Sequence, residues 1–233
     1  MSLRIVFMGT PQYGAQSLQA LLDAGYDVVG VFTQPDKPKG RGGKMQMSEV
    51  KQLALKYDIP VFQPRRIRTE GLEDLKALNP DLCVTAAFGQ ILSQEVLDVP
   101  RLGTVNVHAS LLPKYRGSAP INWCLVNGET LTGVTTMMTD QGIDTGDILL
   151  KADTPIGPEE TAQGLTLRLA DIGAKLLVDT IRRLEKGDCP RTPQNEQDMS
   201  YHPMLKKDMG QVDWTMPARD IVNLARGLYP WPS

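Results

Sequence analysis

The chain has 233 residues, 41% of them hydrophobic, and a formal net charge of −2. That length supports one large domain, or one domain plus the start of another, and the near-neutral balance excludes a global pull toward nucleic acid, so any such contact must be a local patch. Three cysteines without CxxC spacing and only two histidines argue against a disulfide framework and a zinc site, and no run approaches the roughly 18 apolar residues of a membrane span.

Residues 3–8 (LRIVFM) read as a short buried strand, too short to be a signal-peptide core. Gly9-Thr10-Pro11 is the turn after it, either a plain tight turn or an anion site at a helix start. Leu18, Leu21 and Leu22 mark a helix that ends at Gly25, and residues 27–33 (DVVGVFT) are a second strand. This opening predicts an α/β fold with a parallel sheet and right-handed crossovers. Residues 34–47 are polar and Gly-rich, with Lys37, Lys39, Arg41 and Lys44 set against one acid, Asp36. The stretch lacks periodicity and exceeds the about two to six residues usual for such a connection. It reads as a loop, either simply solvated or able to lie on a phosphate backbone, with Arg65, Arg66 and Arg68 adding charge nearby in sequence.

Ser48 is a fair N-cap for a helix over 48–57, and residues 61–62 form a short strand. Leu72, Leu75 and Leu78 mark a helix stopped before Pro80. Strands follow at 81–87 and 103–108, then at 133–139, with 147–151 as its hairpin partner. Cys83 and Cys124 fall in apolar surroundings and are expected in or near the core. A long helix is expected over 158–186, with Pro158, Glu159 and Glu160 in its first turn and one buried face through Leu165, Leu169, Ile172 and Leu176. Residues 188–210 read as polar loop, 211–214 as a short strand and 220–228 as a last helix, before the linker-like Tyr-Pro-Trp-Pro-Ser.

Two stretches carry chemistry. Asn106 and His108 are two apart at the end of a strand, so both face the same side, at the kind of edge where parallel sheets bind ligands. The pair is either a satisfied structural element or a donor beside a titratable imidazole, equipment suited to acyl-group chemistry. Leu111-Leu112-Pro113 then gives an apolar turn beside it. Asp140, Asp144 and Asp147 lie in a glycine-bearing loop. The loop lacks the ligand pattern of a calcium site; it is a polar hairpin turn, or one of its aspartates holds the His108 imidazole.

Taken together, Asn106-Val-His108-Ala-Ser-Leu-Leu-Pro113, Arg116-Gly117 and Asp140-x-Gly-x-Asp144-x-Gly146 resemble the 10-formyltetrahydrofolate-dependent formyltransferases over essentially the whole chain. The resemblance implies a Rossmann-like, mostly parallel sheet flanked by helices, with Asn106, His108 and Asp144 carrying catalysis. It implies 10-formyltetrahydrofolate as co-substrate, bound by Phe88, Gly89, Gln90, Ile91 and Leu92 with Ser110, Leu111, Leu112 and Pro113, and no metal. Phe7-Met-Gly-Thr-Pro11, Thr33-Gln-Pro-Asp-Lys-Pro38 and Ala86-Ala-Phe-Gly-Gln-Ile-Leu92 are similar to members that formylate an aminoacylated tRNA. That implies the acceptor arm of initiator methionyl-tRNA as partner, met by Lys37, Lys39, Arg41 and Lys44; the cysteine usage suits a reducing cytosol, so a cytoplasmic protein is expected, and a monomer. It also implies a catalytic domain over 1–205, with 206–233 finishing it and entering a linker to a C-terminal β-barrel domain. Amino-sugar nucleotides, glycinamide ribonucleotide or water remain as other acceptors, and a tRNA- or folate-binding module without activity remains as the non-enzymatic alternative.

Overall fold

In the computed structural model, which describes residues 3–39 and 44–232, the first strand, β1 (Arg4–Gly9), is buried on both faces beyond Arg4. Helix α1 (Gln12–Asp23) buries Leu18 and Leu21 and leads to β2 (Asp27–Phe32). Residues 34–47 are not all loop: β3 (Lys37–Lys39) and β4 (Lys44–Gln46) pair antiparallel as a small hairpin. The connecting residues, Arg41 among them, lie outside the described residues. Ser48 does cap α2 (Glu49–Lys56), accepting from the Lys51 N–H, and β5 (Val61–Phe62) follows. A single turn of π-helix at Ile67–Gly71 runs into α3 (Leu72–Leu78).

The second half begins with β6 (Leu82–Ala86), buried along its whole length as a central parallel strand should be. The short helix α4 (Gln94–Leu97) connects it to β7 (Thr104–His108). After the two-residue β8 (Arg116–Gly117) come α5 (Pro120–Val126) and the hairpin of β9 (Leu131–Met138) and β10 (Ile148–Pro155). Helix α6 (Ala162–Lys186) begins four residues later than its sequence suggests. Glu160 is drawn out of the helix by its carboxylate, which accepts from Gly157 N–H and pairs with Arg168, and Thr161 takes over as cap. The expected strand at 211–214 is absent, because the Asp213 carboxylate accepts from the N–H and hydroxyl of Thr215 and closes a turn. The chain adds β11 (Tyr201–His202), paired parallel to β8, and ends in α7 (Ala218–Leu228).

The main sheet has seven strands in the order β10-β9-β7-β6-β1-β2-β5. The five from β7 to β5 are parallel, and β9 and β10 extend the sheet antiparallel. From β1 the chain winds outward to β2 and β5, then returns to β6 on the other side of β1. This reversal makes a crevice at the C-terminal ends of β1 and β6, beside β7. One core lies under α1 and α6, through Leu18, Leu21, Leu165, Leu169 and Leu177 with Ile5, Phe7, Val84 and Val105. The other lies on the opposite face, around Val6, Met8, Phe32 and Leu75, with Phe32 stacked on Phe62 at 4.9 Å. Each such fully buried side chain contributes about 1.5–3 kcal/mol of transfer free energy. Cys83 and Cys124 are both buried.

A Cβ at Gly14 meets the Ala86 carbonyl oxygen at 2.7 Å, a backbone atom at the end of β6. Gly14→Ala should therefore destabilise the fold by about 1–3 kcal/mol in urea unfolding, despite the higher helix propensity of alanine. An unchanged or raised midpoint contradicts this packing. His202 lies between Tyr115 and Trp123, with ring centroids 4.7 and 5.1 Å away, and burial holds its pKa below the usual 6.5. The folded state thus prefers the neutral ring, and its contribution is complete above about pH 6.5 and lost as pH falls through the folded value. His202→Phe keeps the stack without the titration, so its unfolding free energy should fall less steeply below that pH than that of the parent chain.

Candidate active site

The C-terminal end of β7 presents Asn106 and His108 on one side of the sheet, and the loop after β9 brings Asp144 to them. Asp144 adopts the left-handed conformation, with φ 55°. Its Oδ2 accepts from the Gly117 N–H at 2.8 Å. Its Oδ1 lies 3.4 Å from the Asn106 Nδ2 and 3.6 Å from the His108 Nδ1. Of the three aspartates in the loop this is the one at the histidine. Asp140 instead accepts from Gly142 N–H and the Thr145 hydroxyl, closing its own turn.

Backbone and neighbouring strands fix how these groups point. His108 is only 7% exposed, and its Nε2 is 2.9 Å from the Tyr115 carbonyl oxygen. A carbonyl can only accept, so Nε2 carries its hydrogen and Nδ1 is the nitrogen left to exchange a proton. Thr85 is the register partner of Asn106 on β6, and its hydroxyl donates to the Asn106 Oδ1 at 2.9 Å. That bond turns the amide so that Nδ2, the donor, faces Asp144. Sequence reading missed Thr85; only the pairing of β6 with β7 makes it visible.

Two loops flank this trio. One follows β6 and holds residues 87–92, with Ala87 and Gly89 at positive φ. The other, residues 110–113, is fixed over β9, where Thr135 donates to the Ser110 carbonyl at 2.6 Å and accepts from the Leu112 N–H at 3.1 Å. Thr135 is the register partner of His108, so this loop stands on the far side of β7 from the first.

Several expected ligand-wall side chains face inward instead. Phe88 and Leu92 belong to the second core, and Leu112 is fully buried with Met137 and Ile148. Gln90 accepts from Ile67 N–H at 2.7 Å and donates to the Pro64 carbonyl at 3.0 Å. The Ser110 hydroxyl donates to the Lys114 carbonyl at 2.7 Å. These residues shape the loops, because apolar and small polar loop residues reach the core when the backbone folds back over it. What remains open to a ligand is Ile91, 75% exposed, the half-buried Leu111 and Pro113, and backbone donors. Among the described residues, no N–H of residues 88–92 donates a hydrogen bond within the protein. A flat polar heterocycle fits that combination of unpaired N–H groups and apolar edges.

The basic hairpin stands at the other end of the crevice. Its base is fixed by Asp36, which accepts from Lys51 at 2.7 Å and from Gln63 at 2.8 Å; the Lys51 contact holds the Asp36 carboxyl below its usual range. Lys37 is exposed on β3, and the register pairs Lys39 with Lys44. The Gly9-Thr10-Pro11 turn serves as a tie, with the Thr10 hydroxyl donating to the Phe88 carbonyl and accepting from Gln34 N–H. Among the described residues, no group of three His, Cys, Asp or Glu side chains is arranged to hold a metal, and no helix is long and apolar enough to cross a membrane.

Known proteins are similar to this chain in sequence and in fold. Residues 3–181 match the formyl transferase family, and residues 204–233 match its C-terminal domain. The chain is 51% identical over 232 residues to a methionyl-tRNA formyltransferase of Clostridioides difficile, covering 99% of this chain and 75% of that protein. It is 54% identical over 230 residues to the methionyl-tRNA formyltransferase of Trichlorobacter lovleyi, covering 98% and 73%. Among solved structures, an N-formyltransferase from Helicobacter canadensis, in complex with folinic acid and dTDP-3-aminofucose, superposes with a TM-score of 0.76 at 23% identity, covering 97% of this chain and 80% of that one. The longer match takes in every strand of the seven-stranded sheet together with Asn106, His108 and Asp144, and the chain belongs to the formyl transferase family.

Proposed function

We propose that the chain transfers a formyl group from 10-formyltetrahydrofolate to the α-amino group of methionyl-tRNA, in the cytoplasm, at the trio Asn106, His108 and Asp144. The observation that carries the chemistry is the convergence at one strand end of an oriented amide donor and an imidazole whose Nδ1 faces the Asp144 carboxylate, both within 3.6 Å of it. The acceptor rests on relatives just over 50% identical that bear the methionyl-tRNA formyltransferase name, and on the basic hairpin.

The folate co-substrate supplies the formyl group. The residues supply donors and a proton path. Asn106 Nδ2 and His108 Nδ1–H donate to the formyl oxygen as negative charge develops there, and Asn106 needs no reorientation because Thr85 already fixes its amide. His108 Nε2 stays hydrogen-bonded to the Tyr115 carbonyl throughout, so the ring does not turn. Asp144 stabilises the charged ring and relays the proton that leaves the attacking amine toward N10 of the folate, so that as the amine–formyl bond forms the formyl–N10 bond breaks and tetrahydrofolate departs with N10 protonated. Its other oxygen remains tied to the Gly117 N–H, which keeps the carboxylate aimed. The N–H groups of residues 88–92 hold the heterocycle edge, with Ile91, Leu111 and Pro113 against its face. Lys37, Lys39, Arg41 and Lys44 contact the phosphates of the acceptor arm, and the Asp36–Lys51–Gln63 cluster keeps the hairpin base in place.

Assayed with both substrates, Asn106→Ala and His108→Ala should each lower kcat by about 10²–10³, the usual cost of one such donor, with little change in KM for the folate. Near-normal turnover in His108→Ala sinks the scheme. Arg41→Ala and Lys37→Ala should instead raise KM for methionyl-tRNA and lower its salt slope by about 1 each. Both should leave the KM for the folate unchanged. Formylation of glycinamide ribonucleotide or a nucleotide-linked amino sugar in preference to methionyl-tRNA would decide for a small-molecule acceptor.

A further inference from the structure

Residues 192–203, an irregular segment with one turn of 3-10 helix at Glu196–Asp198, run past the Asp144 loop and the residues around β8, and they fall between the two stretches that match the family. Thr192 exchanges backbone hydrogen bonds of 2.9 Å with Ile148, next to the Asp144 loop. The Gln194 amide then donates to the Asp144 and Gly146 carbonyls, both at 2.8 Å. Its oxygen accepts from the Arg116 Nε at 3.0 Å. Arg116, only 3% exposed, places its other two nitrogens on the Glu196 carboxylate at 3.0 and 2.8 Å. Further along the segment, the Ser200 hydroxyl accepts from Tyr115 N–H at 2.8 Å, beside the carbonyl that holds His108.

We propose that Gln194 is a positioning residue for formyl transfer, its amide holding the backbone of residues 144–146 and so aiming the Asp144 carboxylate at Asn106 and His108. Three facts carry this. A left-handed aspartate persists only where its surroundings hold it, and Gln194 grips the carbonyl of that residue. All of the amide's bonds are directed: two donors to the loop, and the acceptor to a buried guanidinium that cannot move without losing its ion pair. The same guanidinium belongs to β8, whose Gly117 N–H binds the other side of the Asp144 carboxylate. Gln194 therefore closes a ring that runs from Asp144 through Gly117 and Arg116 and back. It touches no substrate and acts only through Asp144.

The inference rests on the proposed role of Asp144, so the test pairs the two residues. Gln194→Ala should lower kcat about 10- to 100-fold, the effect of a misplacement near 1 Å, with the folate KM within about 2-fold. Gln194→Glu keeps an acceptor for Arg116 but has no N–H for the two carbonyls; it should show the same kcat loss and serves should the alanine variant fail to fold. On an Asp144→Asn background, either substitution should change the residual kcat by less than about 2-fold, because the group it positions is gone. A merely structural role gives instead a loss of full size on that background, or a raised KM with kcat intact, and either result overturns the inference. Wild-type kcat in Gln194→Glu overturns it as well. Asp144→Asn with wild-type turnover removes the reading of the trio itself, and the inference with it.

Discussion

The Asp144 carboxylate is the point on which the site depends. It is 17% exposed at its side chain, and its two oxygens face groups from different parts of the chain: a backbone N–H from β8 on one, an amide and an imidazole from β7 on the other. A carboxylate withdrawn this far from water must be compensated by directed donors, and those donors are the parts of the site that would otherwise be free to drift. The left-handed backbone at Asp144 follows from the same demand. The loop after β9 turns back toward β7 more sharply than an ordinary L-residue conformation allows, and the cost is tolerated because several hydrogen bonds converge on the result. The sheet contributes rigidity. Asn106 and His108 stand on a strand paired on both edges, and their partners Thr85 and Thr135 orient the amide on one side and the flanking loop on the other.

Much of this could be read from the chain itself, for physical reasons that also explain what could not. The apolar runs within 3–8 and 81–87 are strands buried on both faces, and burial on both faces writes itself as continuous hydrophobicity. Asn106 and His108 share a face because strand periodicity is two, which needs no tertiary knowledge. Thr85 and Gln194 are different. Their roles depend on register across strands and on contacts 21 and about 50 residues away in sequence, and no local pattern encodes those. The apolar loop residues gave a subtler lesson. Phe88, Leu92 and Leu112 look like walls for an aromatic ligand, yet a buried place in the core was available to each and hydrophobic burial took it, leaving Ile91 and backbone N–H groups outside. Glu160 shows the same competition at a helix end: as a first-turn residue it favours the helix dipole, but the Arg168 guanidinium and the Gly157 N–H offer its carboxylate more, and the helix starts after it.

The trio and the basic hairpin are mechanically separate in this fold. The trio stands on β7 and the loop after β9, on one side of the β1–β6 reversal. The basic hairpin leaves β2 on the other side and is held by Asp36, Lys51 and Gln63, none of which touches the trio. A change in the hairpin therefore leaves the hydrogen bonds around Asp144 in place. Solved structures of two sugar formyltransferases, 22% and 17% identical to this chain, keep the same fold at TM-scores of 0.76 and 0.74. The strand end and its carboxylate constrain one another tightly, whereas the surface hairpin is tied at its base by one small polar cluster. The cluster itself is half-buried and ionic, so it fixes the direction in which the hairpin leaves the sheet more than it adds stability.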